Sequence, residues 1–172
     1  MTADHRWTVI EARHTARLDA SRAQVLAAEL DLAFQGEVMG TEFRDVVESV
    51  PGVPHRWTQK AGSGPLRQAF ASTLISRDPV VVRSVASELH TQTVTTEVDA
   101  APGDDGRIGV TWTFRAELSA NDALGRWIQS RARSRSEQKL QRDVDGLMTR
   151  WAAAIEARAA RGDASSGPAR LV

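Results

Sequence analysis

From Phe43 to Leu118, six runs rich in Val, Thr and aromatic residues follow one another: FRDVVESV, HRWTQK, LRQAFASTLIS, VVVRSVAS, TQTVTTEV and RIGVTWTFRAEL. They are separated by PGVP, AGSGP, RDP, a short junction near Leu89 and PGDDG, segments whose Gly, Pro and Asp make tight turns. Branched and aromatic side chains suit a pleated surface, and connections this short join antiparallel neighbours. The spacing therefore predicts successive hairpins of one antiparallel sheet. Alternation is clearest in the last run, where Ile108, Val110, Trp112, Phe114, Ala116 and Leu118 share one face and Thr111, Thr113, Arg115 and Glu117 the other. One face of the sheet is dry and the other wet. A further half-buried strand is predicted from Thr8 to Leu18, with Ile10, Ala12, His14, Ala16 and Leu18 opposite Glu11, Arg13, Thr15 and Arg17.

The flanking segments have a helical period. Asp19 or Ser21 can cap a helix with the apolar stripe Val25, Leu26, Leu30 and Phe34, and Gly36 and Gly40 bracket a second, short element. After Leu118, Ser119 and Asp122 are spaced like a capping box. Leu124, Trp127, Ile128 and Arg131 open a long helix, which Leu140, Val144, Leu147, Met148, Trp151 and Ile155 continue at spacings of three and four past the interruption QSRARSRSEQK. The end GDASSGPARLV has the composition of a disordered tail. This reading divides the chain into one domain, 6–160, and a tail, 161–172; no repeat of 20 to 50 residues is present.

Composition narrows the function classes. Lys+Arg and Asp+Glu each total 22 in 172 residues, so no net charge draws the chain to nucleic acid or an anionic membrane. The basic stretch with Arg131, Arg133, Arg135 and Lys139 spreads round a helical cylinder, which reads as a solvated face or, alternatively, a surface for an acidic partner. The absence of Cys removes disulfides, thiolate nucleophiles and Cys-ligated metal. His5, His14, His55 and His90 are scattered without an HExxH or paired spacing, so neither a metal site nor a cofactor is expected. AGSGP is too short for a phosphate loop. The start MTADHRW is not an apolar leader, and no run approaches the roughly 18 apolar residues of a membrane span; a cytoplasmic protein without integral membrane association is expected.

The order of strand, two short helices, six strands and one long helix, with the GVPHRW turn, the TLISRDPVVVRS hairpin and the VTWTFRAEL strand, resembles the SRPBCC superfamily. These are the START-like and birch-pollen-allergen-like helix-grip proteins, which include polyketide cyclases and lipid carriers. The resemblance runs from Val9 to Ala157. It implies an α+β helix-grip fold: a curved seven-stranded antiparallel sheet around a long C-terminal helix, with a central cavity between them. The inward faces would offer the cavity His14, Trp57, Gln68, Phe70, Ser72, Val94, Thr96, Trp112 and Phe114, and the helix Trp127, Leu147 and Met148.

The implied function is binding of a hydrophobic small molecule, a polycyclic or polyketide-like natural product or a lipid, by a carrier, sequestering or self-resistance protein that is a monomer or homodimer. Trp112 and Phe114 fit plain core as well as cavity wall, and Trp57 and Trp127, beside charged residues, fit a rim as well as packing. His14 reads as a satisfied core histidine or as a general base. The aromatase/cyclase branch offers the enzymatic alternative. There, an arginine on the strand running into a Thr-Leu pair holds the polyketide's oxygens, and here Ser72 stands at that position, before Thr73 and Leu74. Alternation puts Arg67 on the opposite face, whereas Arg83, in a run apolar on both faces, would need a carboxylate or a ligand oxygen if it pointed inward. On that reading His14 is the base and Arg83 the oxyanion partner, with no cofactor. A co-chaperone-like interaction module is the third class.

Overall fold

The computed structural model describes residues 7–61, 68–88, 90–119 and 133–162. Its elements are β1 (Trp7–Leu18), α1 (Arg22–Leu30), α2 (Leu32–Met39), β2 (Phe43–Val50), β3 (Val53–Ala61), β4 (Gln68–Arg77), β5 (Val80–Ser87), β6 (His90–Val98), β7 (Ile108–Ser119) and α3 (Arg133–Ala160). The strands form one antiparallel sheet in the order β1-β7-β6-β5-β4-β3-β2. The expected seven-stranded sheet, two short helices and long C-terminal helix are all present. The expected opening of that helix at Leu124–Arg131 and the tail from 163 onward lie outside the described residues.

Strands β2 to β7 pair with their sequence neighbours, as short turns dictate, and β1 closes the sheet by pairing with β7 in unbroken register from Trp7↔Ser119 to Leu18↔Ile108. PGDDG is a turn, as its composition predicts: the Gly103 N–H donates to the Arg107 carbonyl at 2.9 Å, and Gly106 takes the positive φ of 75° that L side chains avoid. At the far edge β2 is exposed along nearly its whole length, and its pairing with β3 is broken by register shifts.

Ser21, rather than Asp19, caps α1. Its hydroxyl accepts from the Gln24 N–H at 3.2 Å while the Gln24 side chain accepts from the Ser21 N–H at 2.8 Å, a reciprocal box that satisfies two otherwise unpaired donors. The Asp19 N–H instead donates to Glu156 on α3. The predicted stripe from Val25 to Phe34 is cut at Asp31, where the backbone is extended and the carboxylate accepts from the Phe34 N–H at 3.0 Å, starting a new helix. Gly36 therefore lies within α2 instead of before it. A Cβ at Gly36 would sit 2.8 Å from the Thr41 carbonyl oxygen, so the chain leaving α2 needs the space a glycine provides.

The main core lies between β1, β7, α1 and α3. Ala12, Leu18, Ile108, Val110 and Trp112 from the sheet meet Val25 and Ala28 of α1 and Val144, Met148, Trp151 and Ile155 of α3. Trp112 and Trp151 are each 1% exposed. A side chain of that size removes roughly 150–250 Å² from water, an upper bound of about 4–6 kcal/mol apiece at ~25 cal/mol per Å². The outer face of the sheet is the wet one: Arg83 is laddered between Thr73 and Thr93, and Thr93 pairs in turn with Arg115. Among the described residues no helix is long and apolar enough to cross a membrane.

Candidate functional site

The grip leaves a cavity of about 220 Å³ between the inner face of β3–β7, the two short helices and α3. Five sheet residues expected to face inward line it: Trp57, Val94, Thr96, Trp112 and Phe114; Leu147 and Met148 reach it from α3. Alternation adds Leu74, Val82, Ser84 and Gln92 on the same face, and α2 and the chain after it contribute Gln35, Met39 and Thr41. The volume falls below the roughly 300–1,000 Å³ of pockets for drug-sized ligands.

Other expected residues lie elsewhere. Phe70 is buried on the inner face of β4 with its ring edge-on to His90, 5.3 Å between centroids. Ser72 is buried and shares a hydrogen bond of 2.9 Å with Ser84, whose own side chain reaches the cavity wall. Neither Phe70 nor Ser72 lines the cavity. Gln68 begins β4, but its side chain is outside the described residues, as is the whole of Trp127. Trp57 is buried rather than at a wet rim, and its indole N–H donates to Gln59 at 3.2 Å.

The two residues considered for catalysis are both outside the cavity. Arg83 is exposed on the outer face, because its strand neighbours Val82 and Ser84 are the ones that point in. His14 faces α3, and its Nδ1 lies 2.8 Å from an Asp145 oxygen. The bond from His14, followed by one from Gln141, holds the Asp145 carboxyl below its ordinary value although partial burial works the other way. Gln141 also donates to the Arg13 carbonyl and accepts from the Arg13 N–H, so this polar group fastens β1 to α3. His14 is a satisfied histidine of the sheet–helix seam. Arg83 and His14 thus supply neither an oxyanion partner nor a base to the cavity.

Among the described residues, the ionisable group that does line the cavity is Glu29, on α1. It follows Ala28 and stands one turn beyond Val25, so the stripe that buries those two also carries Glu29 inward. Its Oε1 accepts from the indole N–H of Trp151 at 2.7 Å and of Trp112 at 2.9 Å, and its Oε2 accepts from the Thr96 hydroxyl at 3.1 Å. Burial raises the carboxyl above its ordinary value of 4.5, and the three hydrogen bonds, which favour the anion, offset only part of that effect. An indole nitrogen can only donate, so Oε1 is committed as an acceptor and any proton on the group sits on Oε2. The signal for Glu29 was present in the sequence as a charged residue on the apolar stripe, at i+4 from Val25 and i+3 from Leu26. Among the described residues, no cluster of His, Asp and Glu is placed to hold a metal ion.

No family model matches the chain, and no curated protein matches it. Solved structures do. A Staphylococcus aureus protein of unknown function matches with a TM-score of 0.64 at 9% identity, over 88% of this chain and 96% of that one. The Zhui aromatase/cyclase from a Streptomyces species gives 0.63 at 13% identity, over 93% and 99%. A Thermus thermophilus protein gives 0.61 at 16% identity, over 86% and 97%. At such identities the likeness shows the fold, and that fold is the helix-grip fold of the SRPBCC and birch-pollen-allergen-like proteins.

Proposed function

We propose that the protein binds a hydrophobic small molecule in the cavity under α3, as a carrier or sequestering protein. The carrying observation is a preformed cavity walled by Trp57, Trp112, Phe114, Val94, Leu147 and Met148, a mostly apolar lining that also carries Glu29, Gln92 and Thr96. Apolar area removed from water supplies the affinity, and Glu29, Gln92 and Thr96 supply orientation. The volume favours a ligand with one or two rings over an extended fused polycycle. The resemblance to an aromatase/cyclase supports a ring-bearing molecule of natural-product type.

The test is a titration with 2-naphthol, read by quenching of tryptophan fluorescence and by native mass spectrometry. Binding at one site is expected. Val94→Phe fills the cavity from the floor of the sheet, so it is expected to lower affinity at least tenfold while thermal unfolding stays cooperative. A folded Val94→Phe protein that binds 2-naphthol as well as the parent would overturn the assignment. Chromatography of molecules recovered after incubation with natural-product extracts separates return of the bound species unchanged from its conversion.

A further inference from the structure

We infer that the cavity selects for charge, taking hydrophobic molecules that carry a protonated amine, with Glu29 as the counter-ion. The inference rests on the cavity being a binding site and adds the chemical class of its occupant.

Four observations lead to it. First, Glu29 is the ionisable side chain of the lining: among the described residues α1, α2, β3–β7 and α3 present no Lys, Arg, His or second carboxyl to the cavity. Secondly, its side-chain partners among the described residues, Trp112, Trp151 and Thr96, are neutral. Two titratable groups behind the wall, His14 and Arg158, are engaged elsewhere. His14, whose ring lies 6.0 Å from that of Trp112, is bonded to Asp145, and Arg158 is bonded to Asp31. A desolvated carboxylate whose partners among the described residues are all neutral is a costly arrangement, which a monocationic ligand neutralises and an anionic ligand aggravates.

Thirdly, the hydrogen-bond count leaves a place. A carboxylate has about four lone-pair sites; Oε1 uses two on the indoles and Oε2 uses one on Thr96, so Oε2 retains one for an ammonium N–H. Fourthly, the wall carries the rings of Trp57, Phe43, Trp112 and Phe114, and aromatic faces attract a desolvated cation. The same features reject fatty acids and other carboxylates, for which the lining offers no positive group among the described residues.

Linkage fixes the sign of the pH dependence. An alkylammonium enters charged, so a Glu29 that is protonated in the empty cavity releases its proton on binding, and amine affinity rises with pH until the empty-cavity carboxyl is ionised. The rise is at most tenfold per pH unit.

The experiment compares 2-naphthylmethylamine, 2-naphthylmethanol and 2-naphthoate, which share one ring system, by isothermal titration calorimetry on the full chain from pH 5 to 8. In the parent protein the amine is expected to bind at least tenfold more tightly than the alcohol at pH 7.5, with naphthoate the weakest and the amine alone gaining affinity as pH rises. In Glu29→Gln the amine-to-alcohol ratio is expected to fall to about one and the pH slope to vanish. Equal binding of amine and alcohol by the parent protein overturns charge selection and leaves the cavity reading standing. An amine preference that persists in folded Glu29→Gln also overturns it. If none of the three, nor 2-naphthol, binds, both readings fall. The ratio and slope in the parent protein decide the matter even if Glu29→Gln does not fold.

Discussion

Glu29 and Asp145 are carboxyls whose surroundings move their protonation in opposite directions, and their effects on stability separate by pH. Glu29 is raised above 4.5, first by burial. Between that value and its folded-state value the native protein holds a proton that the unfolded chain has lost, so rising pH through this window destabilises the fold, by at most about 1.4 kcal/mol per pH unit. Glu29→Gln keeps an amide oxygen to accept from both indoles and cannot ionise. Its unfolding free energy is expected to lack the Glu29 contribution to the decline the parent protein shows over that window, and parallel curves from denaturant titrations would refute this. Asp145 is held below its ordinary 3.8, first by the bond from His14. Its contribution is present above 3.8 and is lost as pH falls through the folded-state value, so Asp145→Asn is expected to lessen the pH dependence of stability only in that more acidic range. His14 shows why alternation alone misleads at this scale. The period of two placed it correctly on the face of β1 that meets α3, but position along the strand put it on the seam with Asp145 and not at the cavity.

Asp31 governs how the two short helices are arranged. Its backbone ends α1, its carboxylate starts α2 through the Phe34 N–H, and its second oxygen accepts from Arg158 of α3 at 2.9 Å. The Arg158 guanidinium also lies 4.6 Å from the centroid of the Phe34 ring. Removing a capping side chain costs typically ~1 kcal/mol, within a range of roughly 0.5–2. Asp31→Ala is therefore expected to lower the unfolding free energy by that much or more, read as a lower urea midpoint at unchanged m, and Asp31→Asn, which keeps an acceptor for Phe34 but loses the charge, to fall between. Since α2 carries Gln35 and Met39 to the cavity wall, Asp31→Ala is also expected to weaken 2-naphthol binding, measured by the same fluorescence quenching. The sequence concealed this break because the apolar spacing from Leu30 to Phe34 continues across it. Only the local preference of an aspartate for capping over helix interior marks the boundary, and that preference competes with an uninterrupted stripe.

Stability is unevenly distributed over the whole molecule. Strands β1 and β7 pair over their full length and are covered by α1 and α3, whereas β2 is an exposed edge with shifted register. Hydrogen exchange is expected to follow this gradient. Amides of Ala12–Ala16 and Val110–Phe114 that donate within the β1–β7 and β6–β7 ladders are expected to exchange only on global unfolding, and those of Val46–Val50 by local opening. Comparable protection in the two regions would contradict it. The sequence by itself determined the number and order of the strands, the inner and outer faces of those that alternate and the long helical stripe, because turn residues and side-chain periods are local properties. It also brought Trp57, Val94, Thr96, Trp112 and Phe114 to one side, since a period of two assigns faces. Tertiary structure alone decided which stretch of that side remains uncovered. Phe70, Ser72 and His14 share the inner side but lie away from the cavity, while pairing of Val82 with Val94 and of Ser84 with Gln92 turned Arg83 outward. It also made Glu29 the polar centre of the site: three donors from β6, β7 and α3, distant in sequence, converge on one carboxyl of α1, and such a convergence has no period to read.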